Sequence, residues 1–515
     1  MTMNGNPRTP AAWPLLAAFV WLAFTIAARP FAVPDEGRYS GVAWAMVTSG
    51  DWLVPRLDSL PYFHKPPLFY WITAVAMHWV GPVEWAARIA PLLGGTAALT
   101  ALYLFARRWW DEAFARRALL AFVTQVLVFM GAQFANLDML VAGCIMATVL
   151  AFADAALSME HGLPARRQLA LGYLFAALGV LAKGLIGLVL PGMVLVAWIA
   201  LRRKPRLVLA LLWAPGALLF LAIAAPWFVL MQREFPQFAH YFFYVQHFAR
   251  YAQGGFNNQQ PAAFYPVVLL ALAFPWSLWL LAGLRRGPQA PARGTGLRSL
   301  LWIWLVAITL FFSLPQSKLV GYIFPVAAPL ALLAAEAFTR VRWVTAWRAS
   351  VAAAVGLCIA AVTYATLWPV HSSREIGVAL RQSEPGDRVV FLQQYWFDVP
   401  VYAHLLSPVA VVAGWDDPDV NLRDNWRKEL ADAGRFDPAA AHNLLLTPQR
   451  AQIALCGPLA TWMVGGAAAR ESFPLLEHAA VIAHHGPDFV WRLPPLHAGQ
   501  SRPGCPPPPA VDPAE

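Results

Sequence analysis

Asp35 and Glu36 stand side by side near the start of VPDEGRYSGVAWAMVTSGDWLVPRLDSLPYFHKPPL, residues 33–68, and His64 and Lys65 stand near its end. The apolar segments on either side are almost free of charge. A carboxylate in such a loop can take a proton from an attacking hydroxyl, and a lysine ammonium can take up charge on a departing phosphate. Further polar outliers recur downstream: Asp138 in ANLDML, Lys183 in LAKGLIGLVLP, His247 and Arg250 in YVQHFARY, and Lys318 and Tyr322 in SLPQSKLVGYIFP. Taken singly, Asp138 reads equally well as a helix cap, and Lys183 or Lys318 as a side chain reaching for headgroups. Taken together they ask for a shared cause, because polar groups at membrane depth are costly and face a cavity or a partner. Lys65, Lys183, Arg250 and Lys318, with Arg38 and Tyr322 beside them, suit a bound phosphate, whose oxygens are the charge-assisted acceptors such cations need. A phosphate carried on a lipid would reach this depth. His64 and His247, with Glu36 as a nearby carboxylate, are candidate ligands of a divalent metal, zinc or magnesium or manganese; hydrogen bonding is the other role open to each histidine. Asp51 and Asp58 fall outside this set and read as members of a solvated loop.

The elements that must position these groups are mostly membrane helices. Of 515 residues 59% are hydrophobic and only 13% charged, far more apolar than a soluble chain of this size. The net charge of +10 would suggest nucleic acid in a soluble protein, but the arginines cluster in every second link between apolar runs, as cytoplasmic loops do. Nucleic acid is therefore not expected as a partner. Candidate spans lie at about 13–31, 87–106, 116–133, 138–157, 169–182, 184–201, 207–230, 263–284, 299–314, 319–338 and 346–368, giving about 11 to 13 crossings. Residues 67–82 are read as lying along the surface or re-entering, which places the N-terminus in the cytoplasm and all the polar outliers on the outer face. Within the loop at 32–82, Tyr39, Val42, Ala43, Met46 and Val47 share one helix face, and Gly50 ends that helix; an amphipathic interfacial helix is expected.

The expected fold is thus an all-α polytopic membrane domain over residues 1–368, followed by a small soluble α/β domain over 369–498 on the periplasmic side and a disordered proline-rich tail over 499–515. Strands are expected at 388–393, 409–413 and 489–493, and helices near 373–382, 399–406 and 424–433. Cys144 and Cys358 are expected as buried thiols; Cys456 and Cys505 are either bonded to each other or free. No glycine-rich nucleotide loop is present, so no nucleotide cofactor is expected.

PDEGRY after the first span, KPPLFYW, an Asp opening a later span, KG before an apolar run ending in LP, an H-x-x-R-Y loop and SKLxxYxxP occur in that order. In these motifs, which cover about residues 13–340, the chain resembles the lipid A aminoarabinose transferases and the allied protein O-mannosyltransferases. The resemblance implies a GT-C fold in the bacterial inner membrane and an inverting transfer of a sugar from a polyprenyl-phosphate donor to lipid A or another acceptor at the periplasmic face. It further implies Asp35 as principal catalytic carboxylate, Asp138 as a second essential acid, Lys65, Lys183 and Arg250 on phosphates and His247 on a metal. One departure is notable: the residue before KPPL, usually Glu in the aminoarabinose enzymes, is His64 here, as a His also stands beside the PPL of the O-mannosyltransferases. A protein or polysaccharide O-glycosyltransferase of the same fold is the alternative; a lipid or ion transporter is the reading from a different class, and the two related halves usual in transporters are not visible.

Overall fold

The computed structural model describes residues 12–249 (side chains to 246), 258–283, 296–369, 371–422, 424–497, 500–502 and 505. The helix Leu137–Glu160 runs through the middle of the membrane part and is buried along almost its whole length. It packs on Ile89–Trp109 on one side and Arg166–Lys183 on the other. Its contact with the first of these is a backbone contact, because a Cβ on Gly143 would fall on the main chain of Gly94. Small residues at such a crossing let two membrane helices approach closely without a hydrophobic driving force between them.

Among the described residues five helices are long and apolar enough to cross a membrane: Ile89–Trp109, Leu137–Glu160, Ala214–Glu234, Val320–Val341 and Val344–Leu367. A sixth candidate is the pair Phe264–Leu272 and Trp276–Ala282, bent by 103°. Four shorter apolar helices, Ala12–Ala23, Leu68–Val80, Ile186–Leu201 and Leu297–Ser313, accompany them. The apolar runs read from the sequence coincide with helices, but several are interrupted. The run at 116–133 is two helices, Glu112–Val123 and Val126–Gly131, and that at 207–230 is Arg206–Leu211 followed by Ala214–Glu234. Hydropathy measures side chains and does not see backbone breaks, so it counts more spans than there are unbroken long helices. Leu68–Val80 has 13 residues, about 20 Å of helix against a hydrocarbon core of about 30 Å.

The Asp35 helix runs from Asp35 to Ser49 and ends at Gly50, whose φ of 73° is left-handed and whose N–H returns to the carbonyl of Met46. Tyr39, Val42, Ala43 and Met46 are buried, as the spacing predicts. The face opposite is covered as well: the helix packs between Leu68–Val80 and the C-terminal domain, and a Cβ on Gly37 would meet the backbone of Asp398. A two-stranded hairpin, β1 (Arg56–Leu57) and β2 (Leu60–Pro61), follows it.

The C-terminal domain is α/β. Strands β3 (Arg388–Leu392), β4 (Ala410–Val412), β5 (Leu445–Leu446), β6 (Thr461–Gly466), β7 (Ala480–His485) and β8 (Asp488–Leu493) form one sheet in the order β5-β4-β3-β6-β8-β7. The β3–β4, β3–β6 and β4–β5 pairs are parallel and the β6–β8–β7 edge is antiparallel. RVVFL and TWMVG read as continuous apolar runs because parallel strands are covered on both faces. The expected strands at 388–393, 409–413 and 489–493 and helices near 373–382, 399–406 and 424–433 are all present within a few residues. Cys456 and Cys505 form a disulfide, and Arg502 donates to the carbonyl of Leu459 at 2.8 Å. Cys144 and Cys358 are buried and free.

Candidate active site

The C-terminal domain docks directly on the loop that carries the acidic pair. Phe31 N–H donates to Tyr402 Oη at 2.8 Å, Trp44 Nε1 to the carbonyl of Leu405 at 2.8 Å, and Val409 N–H to Asp58 Oδ1 at 2.8 Å. Asp58, read from the sequence as a solvated loop residue, is instead half-buried with its Oδ2 shut off from solvent, and this desolvation pushes its carboxyl up to about 7. Asp51 accepts from the N–H groups of Leu53 and Val54 and pairs with Arg56. Both thus stay outside the site, Asp58 as a docking point.

Asp35 stands at the N-terminus of its helix, where aligned N–H groups favour a carboxylate. Its Oδ1 accepts from Arg38 Nη2 and its Oδ2 from Asn136 Nδ2 at 3.3 Å. Asn136 in turn caps the Leu137–Glu160 helix, its Oδ1 accepting from Asp138 N–H at 2.6 Å. One amide side chain therefore holds Asp35 and Asp138 beside each other. Asp138 pairs with Lys183, the last residue of Arg166–Lys183, where the helix dipole favours a cation. That helix stops there because Gly184 takes φ of 91°, open to glycine and strained for other residues. The Lys183 ammonium also lies 4.4 Å from the centre of the Tyr322 ring, a cation–π contact. Gly321 completes the arrangement, since a Cβ there would overlap the Asp138 carboxylate.

These groups face one cavity of about 490 Å³, whose wall includes Asp35, Arg38, Tyr62, His64, Lys65, Asn136, Asp138, Lys183 and Tyr322. A second, mainly apolar cavity of about 390 Å³ shares Asp35, Asn136, Asp138 and Leu319 with it and is otherwise walled by Val126, Leu127, Met130, Phe134, Leu272 and Phe324. The two carboxylates thus stand where a polar chamber meets an apolar one. The C-terminal domain supplies the rest of the polar wall, with Gln394, Tyr395, Phe397, Asp424, Asn425, Trp426 and Glu429. Nothing near these residues in sequence marks them, and Glu429 reaches Arg38 across 391 positions. Asn136 was legible: an Asn directly before an apolar helical run is an N-cap signature.

Three expectations change, for Glu36, Lys318 and Arg38. Glu36 is not placed to bind a metal. It is fully buried and its two oxygens accept from Arg29, from Arg88 Nε at 2.9 Å and Nη2 at 3.1 Å, from Ala32 N–H at 2.9 Å and from Ala135 N–H at 2.8 Å. Burial opposes its charge, but the two guanidiniums outweigh that and hold its carboxyl down at about 2. Lys318 is not in the cavity wall; its ammonium is buried and donates to the carbonyls of Gln260 at 2.8 Å and Pro315 at 2.5 Å, so it pins two chain segments together. Arg38 is in the wall, but its two terminal nitrogens go to Asp35 and Glu429 rather than to open space. His64 is buried and stacked on Tyr62 at 4.4 Å. The side chain of His247 and all of Arg250 lie outside the described residues. Among the described residues no group of three or more His, Cys, Asp or Glu is disposed to hold a metal, so the donor set expected for one is not assembled by Glu36 and His64.

Residues 64–230 match the family described as "Dolichyl-phosphate-mannose-protein mannosyltransferase". The chain is similar to the "Undecaprenyl phosphate-alpha-4-amino-4-deoxy-L-arabinose arabinosyl transferase" of Erwinia tasmaniensis, with 36% identity over 59% of this chain and 54% of that protein. It is similar to the transferase of the same name from Aeromonas salmonicida, with 32% identity over 67% of this chain and 64% of that one. The chain thus spans a little over half the length of these curated relatives. The crystal structure of ArnT from Cupriavidus metallidurans bound to undecaprenyl phosphate superposes with a TM-score of 0.78 over 93% of this chain and 97% of that one, at 23% identity. That likeness shows a shared fold. The resemblance drawn from the motifs is borne out by these relatives.

Proposed function

We propose that the chain is an inner-membrane glycosyltransferase that moves a sugar from a polyprenyl-phosphate donor to an acceptor at the periplasmic face. The observation that carries this reading is the position of Asp35 and Asp138 at the junction of a polar chamber and an apolar one. An amphiphile with a phosphate between its sugar and its tail fits such a junction, with the tail among Leu127, Met130, Phe134 and Phe324 and the sugar among the polar groups. Lys65 and Lys183 then stand on the polar side to stabilise the charge that develops on the departing phosphate. The names of the relatives support aminoarabinose as the sugar and undecaprenyl phosphate as the carrier, and lipid A is the acceptor the motif resemblance implies.

The transfer inverts the anomeric centre in this reading: the acceptor oxygen attacks from the face opposite the phosphate. If the acceptor is a hydroxyl, Asp35 takes its proton as general base. If the acceptor is a phosphate, no proton need leave, and Asp35 orients the acceptor and balances the positive charge on the sugar ring. Asp138 holds Lys183 toward the phosphate. No step is assigned to a metal.

Purified protein incubated with polyprenyl-phosphate aminoarabinose and lipid A, with products followed by mass, tests the proposal. Asp35→Asn should fold, insert and lose transfer by about 10³-fold or more; near-normal turnover would remove Asp35 from the chemistry. The second reading, a protein or glycan O-glycosyltransferase, is favoured by the mannosyltransferase-family match that begins at His64. Lipid A left unmodified by cells expressing the protein, together with a glycosylated protein or glycan, would select it.

A further inference from the structure

Arg38 is held from both domains. Its guanidinium lies over the Tyr39 ring at 5.1 Å and the Phe397 ring at 5.6 Å, one from each domain. Its Nη2 donates to Asp35 and its Nη1 to Glu429, which sits in the helix Trp426–Gly434 of the C-terminal domain and whose other oxygen lies 3.5 Å from Tyr62 Oη. A guanidinium three residues along a helix from a carboxylate has a more favourable arrangement within reach, the two-pronged fork over both carboxylate oxygens. In this structure the fork is divided between two acids, so Asp35 gives Arg38 only Oδ1 and leaves Oδ2 to Asn136 and the cavity.

Resting on the glycosyltransferase reading above, we propose that Glu429 is a positioning residue of the active site: by holding one prong of Arg38 it keeps Asp35 open to substrate, which makes the C-terminal domain a working part of the catalytic unit. Docking contacts at Tyr402, Leu405 and Val409, among others, do not involve Glu429, so its loss leaves the domain seated.

The test uses the full-length protein and the variants Glu429→Gln, Glu429→Asp and Arg38→Gln. Glu429→Gln should lower kcat about tenfold or more at a donor KM changed less than about twofold, Glu429→Asp should recover most of the loss, and Glu429→Gln added to Arg38→Gln should cost little further. A second measurement needs no turnover: the rate at which a water-soluble carbodiimide modifies Asp35, read by peptide mass spectrometry. Closure of the fork over Asp35 should slow this labelling in Glu429→Gln and Glu429→Asp should restore it. A merely structural role, in which the domain loosens, would speed it. Unchanged kcat and labelling in Glu429→Gln, or faster labelling, overturns the proposal. Slowed labelling in a protein whose wild type transfers no sugar from any polyprenyl phosphate upholds the clamp and refutes the glycosyltransferase reading instead.

Discussion

Glu36→Gln separates a structural glutamate from a chemical one. In the folded protein six donors converge on this side chain, four from Arg29 and Arg88 and two from the N–H groups of Ala32 and Ala135. The two arginines spread outward to the carbonyls of Ile26, Pro30 and Gln133. Glu36 thereby fixes the chain before the Asp35 helix against the segment that delivers Asn136 and Asp138. The carboxyl drops from an ordinary value of 4.5 to about 2, which by linkage is about 3 kcal/mol. Breaking a buried pair by removing one partner costs about 3–5 kcal/mol, so the two routes agree. Because the folded-state value lies below the unfolded one, this stabilisation is complete above the unfolded value and is lost as pH falls from about 4.5 toward 2. Thermal unfolding in detergent should therefore show Glu36→Gln strongly destabilised at pH 7, with the gap to wild type closing as the pH is lowered through that window. A variant that melts like wild type yet fails to transfer sugar would refute the reasoning, and would return Glu36 to the role of a ligand or a reacting group.

Three further outcomes follow from particular contacts. Gly321→Ala puts a methyl group into the Asp138 carboxylate, so the Asp138–Lys183 pair should be displaced and kcat should fall about tenfold or more; normal kinetics would show that this pair is not needed where it stands. The Asp58 carboxyl is shut off from solvent and is pushed up to about 7 from an ordinary 3.8, so its charged form costs stability as pH rises through that interval. Asp58→Asn should then match wild type near pH 4 and exceed it at pH 8 by up to about 4 kcal/mol, read by thermal unfolding; a variant weaker at both pH values would sink the assignment. The Cys456–Cys505 bond closes a loop of 49 residues; on the chain-entropy account it is worth about 4 kcal/mol, so Cys505→Ser should lower the melting temperature of the C-terminal domain and become insensitive to reductant.

The legible part of this fold is the part in which neighbours in sequence do the work. The buried face of the Asp35 helix, its Gly50 stop and the central β3 strand follow from period and turn residues, and all appear where the residues place them. Asp35, Asp138, Lys65 and Lys183 were visible as charges with no local reason to be there, and the structure brings all four to one cavity wall. The same rule misjudged Glu36 and Lys318, because a charge among apolar residues can equally be a structural pin once the backbone offers it enough partners. Composition cannot tell a cation waiting for a phosphate from one already bound to two carbonyls, as Lys318 is. Glu429, Asp424 and Trp426 were invisible for another reason: their place in the wall exists only after two domains meet.

That meeting explains a feature of the charge distribution. In the proposed reading the site receives a phosphate and needs cations, but Arg38 left against Asp35 alone would neutralise that carboxylate rather than leave it available to substrate. Lys183 is held by Asp138, and Arg38 is shared with an acid from outside the membrane domain. In the proposed reading the C-terminal domain therefore adds negative charge to a wall that receives a phosphate, which makes sense only if its task is to restrain Arg38 and to face the sugar. On that argument the acidic and aromatic groups at Asp424, Trp426 and Glu429 lie on the sugar side of the cavity, and Lys65 and Lys183 on the phosphate side. Trp426→Ala should accordingly raise KM or lower kcat for the sugar donor while leaving the affinity for the sugar-free polyprenyl phosphate within about twofold. Equal losses for both ligands, measured by direct binding and by turnover, would place Trp426 on the wrong side of the chamber and refute this division.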